Sequence, residues 1–280
     1  ERFGLDIDFV ACDWRQGVDP NVIEDQLKND AAHSIKAVMV VHNETSSGIT
    51  NSIAAVREAM NSAGHPALLF VDAVSSAGSI EYLQDDWGVD VTIAGSQKGL
   101  MLPPGLSFNV ISERAIAASQ SSQLPKSYWS WEDLLPSNET GFFPYTPASN
   151  LFFGLREALS MLEAEGWPNI YARHARLAEA TRRAVAAWGL ENYCAMPEKS
   201  SNTVTAVLVP EDQSADALRA AILQRYDMSL GAGLGVLADK VFRIGHLGSF
   251  NELMLAGTLS GVEMGLDAAG IPHATGGVTA

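Results

Sequence analysis

The sequence is poor in cysteine. Only Cys12 and Cys194 occur among its 280 residues, neither lies in a CxxC pair, and the six histidines stand singly. A disulfide framework and a clustered zinc site are therefore both disfavoured. The shortage of cysteine indicates a protein of a reducing compartment, and we expect it to be cytoplasmic and to bind no metal.

Basic residues are also scarce. The lysines and arginines number 18 against 33 aspartates and glutamates, which leaves a formal net charge of -15. The charges are scattered rather than grouped in long runs of one sign, so neither nucleic acid nor an anionic membrane is an expected partner. An anionic ligand must instead be bound by a few groups that point at it.

Long apolar runs are absent too. No stretch of about 18 apolar residues could span a membrane, and the first residues lack the basic-then-apolar pattern of a signal peptide. The hydrophobic content of 47% still supports a large core, in one big domain or two ordinary ones. Because the chain opens at Glu1 in a segment typical of the middle of an α/β protein, we expect a fragment without its N-terminal part.

Short apolar runs alternate with helix-like stretches in the first half. The runs are 36–41 (KAVMVV), 67–71 (ALLFV) and 89–94 (VDVTIA), and helical spacing covers 52–63. Their apolar residues are consecutive rather than alternating, as in strands that are covered on both faces. The pattern predicts an α/β fold with a mostly parallel sheet and crossover helices.

The second half predicts a smaller α/β unit. We place the domain boundary between 1–158 and 159–280. The predicted elements of this half are helices at 150–165 and 169–188, a strand at 203–209, a helix at 214–226 and a strand at 240–245.

Two further segments carry local signals. Ser249, with Glu252 three residues later, forms a capping-box pattern that predicts the start of the last helix. Residues 124–147 lose all periodicity and are rich in aromatics and prolines, which is long for a passive connection. A functional loop and ordinary surface packing both remain open for this segment.

Polar side chains follow each apolar run of the first half. They are the cluster 42–48 (HNETSSG), Asp72, and the cluster 95–99 (GSQKG). Ligands of an open parallel sheet gather beyond the carboxyl ends of its strands, so we expect these groups to lie together. Asp72 and Lys98 suit pyridoxal phosphate, whose pyridine nitrogen needs an anionic partner and whose aldehyde needs an amine. On spacing alone, a turn residue at Asp72 and a surface charge at Lys98 remain open.

Several separated blocks resemble one enzyme family. From about residue 26 to about 277, the chain is similar to serine-glyoxylate aminotransferases, in the alanine-glyoxylate branch of class V pyridoxal-phosphate enzymes. The resemblance implies the aspartate-aminotransferase type of fold, with a large cofactor domain, a smaller C-terminal α/β domain and a homodimer. The blocks include VHNETSSGI, PALLFVDAVSSAGS, DDWGVDVTIAGSQKGLMLPPGL, FPYTPASNLFFGLREAL and KVFRIGHLGSFNELMLAG.

The resemblance implies roles for four residues near the cofactor ring. Lys98, in GSQK, resembles the lysine that forms the Schiff base with pyridoxal phosphate. Asp72 resembles the partner of the pyridine nitrogen, and Val74 the residue packed against the ring. Gln97 matches a ligand of the cofactor phosphate.

Further contacts are implied at the edge of the cofactor. Ser46 lies where the family places a hydroxyl near the ring oxygen, with Thr45 as an alternative donor. Thr146, in FPYTP, matches the residue that reaches the phosphate of the neighbouring subunit. Some relatives have a tyrosine phosphate donor three positions earlier, where this chain has Phe143, although Tyr145 is adjacent.

Two residues of the FRIGHLG block are distinguished by the resemblance. Arg243 matches the arginine that binds the substrate carboxylate through paired N–H donors. His246 has no role implied by the family, and we expect a hydrogen-bonded structural histidine. The glycines of 231–235 (GAGLG) follow a predicted helix, so their context does not indicate a dinucleotide site.

The resemblance implies transfer of an amino group from serine, alanine or aspartate to glyoxylate, which yields glycine and a 2-oxo acid. Compared with the family, an N-terminal segment with a phosphate loop and a ring-stacking aromatic is not in this sequence. A cysteine desulfurase is a competing hypothesis, but it needs a nucleophilic cysteine in a mobile loop. A non-catalytic α/β scaffold is a hypothesis from a different class.

Overall fold

The computed structural model describes residues 3–280, and within this range the chain forms eight α-helices and ten β-strands. The helices are α1 (Pro20–Asn29), α2 (Ile53–Ser62), α3 (Glu113–Ser119), α4 (Trp131–Glu139), α5 (Ser149–Glu165), α6 (Trp167–Ala187), α7 (Ala215–Tyr226) and α8 (Glu252–Ala269). The strands are β1 (Ala37–Val41), β2 (Asn43–Glu44), β3 (Ile49–Thr50), β4 (Leu68–Asp72), β5 (Val91–Gly95), β6 (Ser107–Ile111), β7 (Glu191–Asn192), β8 (Val204–Leu208), β9 (Gly231–Ala232) and β10 (Val241–Gly245).

Four strands form the first sheet, in the order β1-β4-β5-β6. Strands β1, β4 and β5 are parallel, and β6 is antiparallel to β5. Helix α2 lies between β1 and β4 in the chain, and its Val56 and Met60 share a buried cluster with Val40, Leu69 and Val71 of the sheet. The predicted α/β fold with a mostly parallel sheet is confirmed.

The second sheet is antiparallel throughout, in the order β7-β8-β10-β9. Its strands β8 and β10 confirm the predicted strands at 203–209 and 240–245. The core on this sheet includes Trp188, Val207, Phe242 and Val262, all of them at most 1% exposed. Helices α6, α7 and α8 therefore cover the second sheet as α2 covers the first.

Five strands and three helices were not predicted, namely β2, β3, β6, β7 and β9, and α1, α3 and α4. Strand β6 is not predicted because its apolar residues are interrupted by Ser107 and Asn109, at the edge of the sheet. The expectation of an irregular segment over 124–147 is wrong for the nine residues of α4. Acidic residues in its first turn favour this helix, whereas Pro136 inside it conceals the helical pattern.

The last helix starts later than predicted. Asn251, not Ser249, is its N-cap, and the Asn251 side chain accepts a hydrogen bond from the Met254 amide at 3.0 Å. Glu252 is therefore the first helical residue, and the capping-box prediction is wrong. The division at residue 158 stays a prediction, and this residue lies inside the continuous helix α5. No helix within 3–280 combines the length and the apolar character needed to cross a bilayer.

Candidate active site

Three turns meet at the carboxyl edge of the parallel strands. Asp72 is the last residue of β4, Lys98 lies in the turn after β5, and Ser46 lies in the turn between β2 and β3, the hairpin that follows β1. Asp72 pairs in register with Ile93 of β5, and the Ala73 amide donates to the Ile93 carbonyl at 2.8 Å. The turn after β4 therefore starts beside the strand that leads to Lys98.

The Asp72 side chain is exposed and oriented by its own turn. Its Oδ1 accepts a hydrogen bond from the Val74 amide at 2.8 Å, and its backbone carbonyl accepts one from the His42 amide at 2.9 Å. Within residues 3–280 the carboxylate forms no salt bridge, so its charge is available to a ligand. Val74 is partly buried in the same turn.

Ser96 fixes the turn that carries Lys98. The fully buried Ser96 hydroxyl donates to the Pro103 carbonyl at 2.8 Å and accepts from the Leu106 amide at 3.1 Å. The Lys98 carbonyl accepts from the Met101 amide at 2.9 Å. Lys98 is a partly buried residue, and across 3–280 its amine has neither a hydrogen bond nor a salt bridge. Gln97 is exposed next to it.

The Asp72 turn and the Lys98 turn touch through two glycines. A Cβ atom on Gly99 would lie 2.2 Å from the Ala77 carbonyl oxygen, and one on Gly78 would lie 3.0 Å from the carbonyl carbon of Gly99. Neither glycine position therefore has room for a side chain. The backbone contact therefore brings the candidate carboxylate and the candidate amine onto adjoining turns.

Asn43 joins the first sheet to the second. Its Nδ2 donates to Ser75 Oγ and to Thr203 Oγ1, both at 3.0 Å, and its Oδ1 accepts from the Thr50 hydroxyl at 2.9 Å. The Ser75 hydroxyl donates back to the Asn43 carbonyl at 2.6 Å. Sequence analysis gave Asn43 no role, and its place in the polar cluster 42–48 that follows β1 was the signal available.

His42 contacts the turn that follows Asp72. Its Nδ1 lies 2.9 Å from Ser76 Oγ, and its ring lies 5.3 Å from the Tyr82 ring and 5.5 Å from the Trp87 ring. Burial lowers the pKa of His42 to about 4, because the charged imidazole would lose its hydration. A neutral His42 therefore holds Ser76 at physiological pH.

Arg243 reaches from the second sheet to the Ser46 turn. Its Nε donates to the Ala232 carbonyl at 2.7 Å and its Nη1 to the Thr45 carbonyl at 2.9 Å. The Ser46 amide donates to Glu44 Oε1 at 2.8 Å within that turn. Burial lowers the pKa of Arg243 and nearby Glu44 raises it, so the guanidinium is a partly desolvated cation.

Thr146 stands apart from these residues. It is exposed, and no hydrogen bond of its side chain occurs within 3–280. The role implied for Thr146 involves a neighbouring subunit and stays a prediction.

His246 is fully buried, with Nε2 at 3.0 Å from Thr205 Oγ1 and Nδ1 at 3.2 Å from the Asn202 carbonyl. Both nitrogens of His246 are therefore used inside the fold.

The sequence model described as "Aminotransferase class-V" matches residues 1–245. The chain belongs to this family. It is 52% identical, over 95% of its length and 67% of the relative's, to the serine–glyoxylate aminotransferase of Methylorubrum extorquens. It is 43% identical to the L-aspartate–glyoxylate aminotransferase of Paracoccus denitrificans, over 97% of the chain and 69% of the relative. The crystal structure of the pyridoxamine–pyruvate aminotransferase of Mesorhizobium loti superposes with a TM-score of 0.87 at 35% identity, covering 94% of this chain and 68% of that one.

Class-V aminotransferases use pyridoxal phosphate, and the donor groups of this chain suit that cofactor. The Lys98 amine and the Asp72 carboxylate lie on touching turns, and neither has an ionic partner among residues 3–280. An amine can hold the cofactor aldehyde, and a carboxylate can hold a protonated pyridine nitrogen. The hydroxyl of Ser46 and the amide of Gln97 belong to the same edge of the sheet.

Proposed function

We propose that this class-V aminotransferase transfers the amino group of serine to glyoxylate. The observation that supports the proposal is that Asp72 and Lys98, neither with a salt bridge among residues 3–280, lie on adjoining turns at the carboxyl edge of the sheet. The 52% identity to a serine–glyoxylate aminotransferase supports serine as the donor, whereas an aspartate–glyoxylate enzyme is more distant at 43%. Glycine and a 2-oxo acid are then the products.

Lys98 and Asp72 divide the chemistry between them. Pyridoxal phosphate, when bound, withdraws electrons from the Cα of the amino acid and so acidifies its proton. Lys98 would hold the cofactor aldehyde through Nζ, and the same amine in its neutral form would accept the Cα proton of the amino acid. Asp72 would hold a protonated pyridine nitrogen by placing a negative charge beside it.

The remaining candidates orient the cofactor and the substrate. Val74 would pack against the ring, and the Ser46 hydroxyl would donate to the ring oxygen. Gln97 would hold the phosphate, and Thr146 would hold the phosphate in a neighbouring subunit. Val74, Ser46 and Gln97 lie at or near the carboxyl edge of the sheet, which suits these roles. Thr146 lies apart from them, and its role requires a second copy of the chain.

Arg243 binds the substrate carboxylate. Its Nε and one Nη1 hydrogen are used by the carbonyls of Ala232 and Thr45, which orients the guanidinium plane. The other Nη1 hydrogen and both Nη2 hydrogens have no acceptor within 3–280. Nη1 and Nη2 can therefore each donate to one oxygen of the substrate carboxylate. Partial burial strengthens that contact relative to one in water.

A cytoplasmic homodimer is part of the proposal. Six aromatic side chains, each at least 43% exposed, flank Thr146 in the sequence, and we call them the aromatic surface. Exposed apolar patches of this kind are typical of protein interfaces. Sedimentation velocity tests the dimer: we expect a dimer at micromolar concentration, and a monomer would contradict it. The aromatic surface consists of Tyr128, Trp129, Phe142, Phe143, Tyr145 and Phe153.

Paired donor and acceptor assays test the substrates. Purified protein loaded with pyridoxal phosphate is mixed with glyoxylate and either serine, alanine or aspartate, and glycine formation is measured. We expect the highest kcat/KM with serine. A preference for aspartate or alanine would contradict serine as the donor, and no glycine with any of the three would contradict the glyoxylate aminotransferase activity itself.

A further inference from the structure

Strand β10 and the segment after it connect the candidate substrate-binding arginine to the Lys98 turn. Arg243 lies in β10, and Gly248, three residues beyond the end of the strand, has a φ of +78° that favours glycine. A Cβ atom on Gly248 would lie 3.4 Å from Met101 Cγ and 3.9 Å from the Lys98 carbonyl oxygen. Gly248 therefore lies directly against the turn that carries the amine.

His174 of α6 holds the amide of Gly248. The imidazole is fully buried, its Nε2 accepts a hydrogen bond from the Gly248 amide at 3.1 Å, and its Nδ1 lies 2.7 Å from the Ile170 carbonyl. Because Nε2 accepts, the single ring proton must be on Nδ1 and the ring must be neutral. Burial lowers the pKa of His174, which keeps the acceptor available.

Arg173, the preceding residue of α6, holds the carbonyl of Gly248. Its Nη1 donates to the Gly248 carbonyl at 2.8 Å and to the Phe250 carbonyl at 3.0 Å. Its Nε and Nη2 donate to the two carboxylate oxygens of Glu165, at 2.6 and 2.8 Å, which fixes the guanidinium. Both polar backbone groups of Gly248 are thus held by adjacent residues of one helix.

The backbone of the Lys98 turn depends on contact with Gly248 more than the Arg243 side chain does. Met101 has a φ of +61°, a left-handed conformation that a non-glycine residue keeps only where its surroundings hold it. The Met101 side chain contacts Gly248. Arg243, by contrast, has its own hydrogen bonds to Ala232 and Thr45 and does not depend on Gly248.

We propose that Arg173 and His174 are positioning residues that hold Gly248 against the Lys98 turn and thereby direct the Lys98 amine. This α6 clamp, Arg173 and His174, touches neither cofactor nor substrate, and its effect on turnover rests on the proposed role of Lys98. A displaced amine slows proton transfer, whereas substrate binding at Arg243 is preserved.

Two substitutions of His174 separate positioning from packing. His174→Phe keeps a ring of similar size and removes the acceptor, whereas His174→Gln offers an amide oxygen to the Gly248 amide. Arg183→Gln is the matched control, because Arg183 lies on the same helix and, among residues 3–280, forms its salt bridge only with Glu179 of that helix. Arg173→Met tests the clamp a second time without altering a buried ring, should His174→Phe fold poorly.

The measurements are kcat and KM for the amino donor, the absorbance of lysine-bound cofactor against pH, and hydrogen exchange at the Gly248 amide. For His174→Phe we expect kcat to fall by a factor of about 10 to 100, a shifted absorbance titration and faster exchange at Gly248. KM stays within a factor of about two, because binding at Arg243 is unchanged. His174→Gln recovers most of kcat, Arg173→Met resembles His174→Phe, and Arg183→Gln resembles the wild type.

If the wild-type protein shows lysine-bound cofactor, three results with the variants would overturn the proposed clamp. They are unchanged exchange at Gly248 in His174→Phe, equal behaviour of His174→Phe and His174→Gln, and a rise in KM as large as the fall in kcat. A wild-type protein without lysine-bound cofactor would instead refute the proposed function, and exchange at Gly248 would still report whether the clamp holds that turn.

Discussion

Asp72 and Lys98 differ in how firmly the fold holds them. The Asp72 carboxylate is oriented by the Val74 amide, whereas the Lys98 amine makes no hydrogen bond among residues 3–280. A carboxylate that stabilises a charge benefits from a fixed position, because no reorganisation is then needed during the reaction. An amine that must leave the cofactor and return as a base benefits from freedom at its tip and a firm backbone beneath it.

Asp72→Asn separates the charge of this residue from its shape. The amide oxygen still accepts the Val74 N–H, but the pyridine nitrogen loses its anionic partner. We expect kcat to fall by about 100- to 1,000-fold, the cost typical of removing one preorganised electrostatic group. Steady-state kinetics with saturating cofactor measures it, and an Asn variant with near wild-type kcat would refute the role of Asp72.

Some residues of the site can be predicted from sequence and others cannot. Asp72 directly follows the apolar run 67–71 and Lys98 comes shortly after the run 89–94, so their places near strand ends are a local property. The hydrogen bond of Asn43 to Thr203 joins residues 160 positions apart, and that of His174 to Gly248 joins residues 74 positions apart. No local pattern encodes such contacts, so the supporting residues become visible only in the folded chain.

At the scale of elements, Glu263 of α8 ties down the end of the chain. Its carboxylate accepts hydrogen bonds from the Gly276 and Gly277 amides and from Trp188 Nε1, at 2.7 to 2.9 Å. These donors, the Gly276 amide first, lower the pKa of Glu263. Trp188 is a core residue of the second sheet, so one carboxylate links the terminal segment to that core.

Glu263→Gln should loosen this link. The neutral amide is a weaker acceptor and cannot accept all three hydrogen bonds as well, so we expect a loss of about 1–3 kcal/mol in the free energy of unfolding. Urea denaturation measures the loss, and Glu163→Gln is the control because Glu163 is exposed on α5. Equal stability of the two variants would contradict the proposed link.

Element boundaries show where local signals suffice. Continuous apolar runs predicted β1, β4 and β5, although the expected cover on both faces is incomplete, since Met39 of β1 is 65% exposed and Ile93 of β5 is 43% exposed. The edge strand β6 mixes polar and apolar residues, and Pro136 concealed α4. The start of α8 was misplaced by two residues because Ser249 and Asn251 are both good N-caps, and only tertiary contacts of the preceding segment decide between them.

At the scale of the whole molecule, buried neutral histidines make stability depend on pH. Burial lowers the pKa of His42 to about 4 and that of His246 to about 3. An unfolded chain has these groups near their usual value of about 6.5 and so binds protons that the folded chain does not. Their contribution to stability is therefore fully present above that value and is lost as pH falls.

Urea unfolding at several pH values checks this dependence. Between about pH 6.5 and 4 we expect the free energy of unfolding to fall, by about 1.4 kcal/mol per pH unit for each of the two histidines once both are protonated in the unfolded state. His246→Gln should reduce the slope. Stability that rises as pH falls from 7 to 5 would contradict the account.

The fold class of the whole molecule could be predicted because strand and helix signals alternate along the first half. The antiparallel pairing of the second sheet could not, since its strands β7 and β9 have only two residues each. The proposed homodimer rests on the aromatic surface around Thr146, whose side chains are each at least 43% exposed.

The central claim is that Lys98 binds pyridoxal phosphate. Borohydride reduction of the cofactor-loaded protein, followed by peptide mass spectrometry, tests it without measuring turnover. We predict a pyridoxyl phosphate group on the peptide that contains Lys98, its loss in Lys98→Ala and its retention in Lys240→Ala, where an exposed lysine is removed. A label on another lysine, or no label in the wild-type protein, would contradict the account.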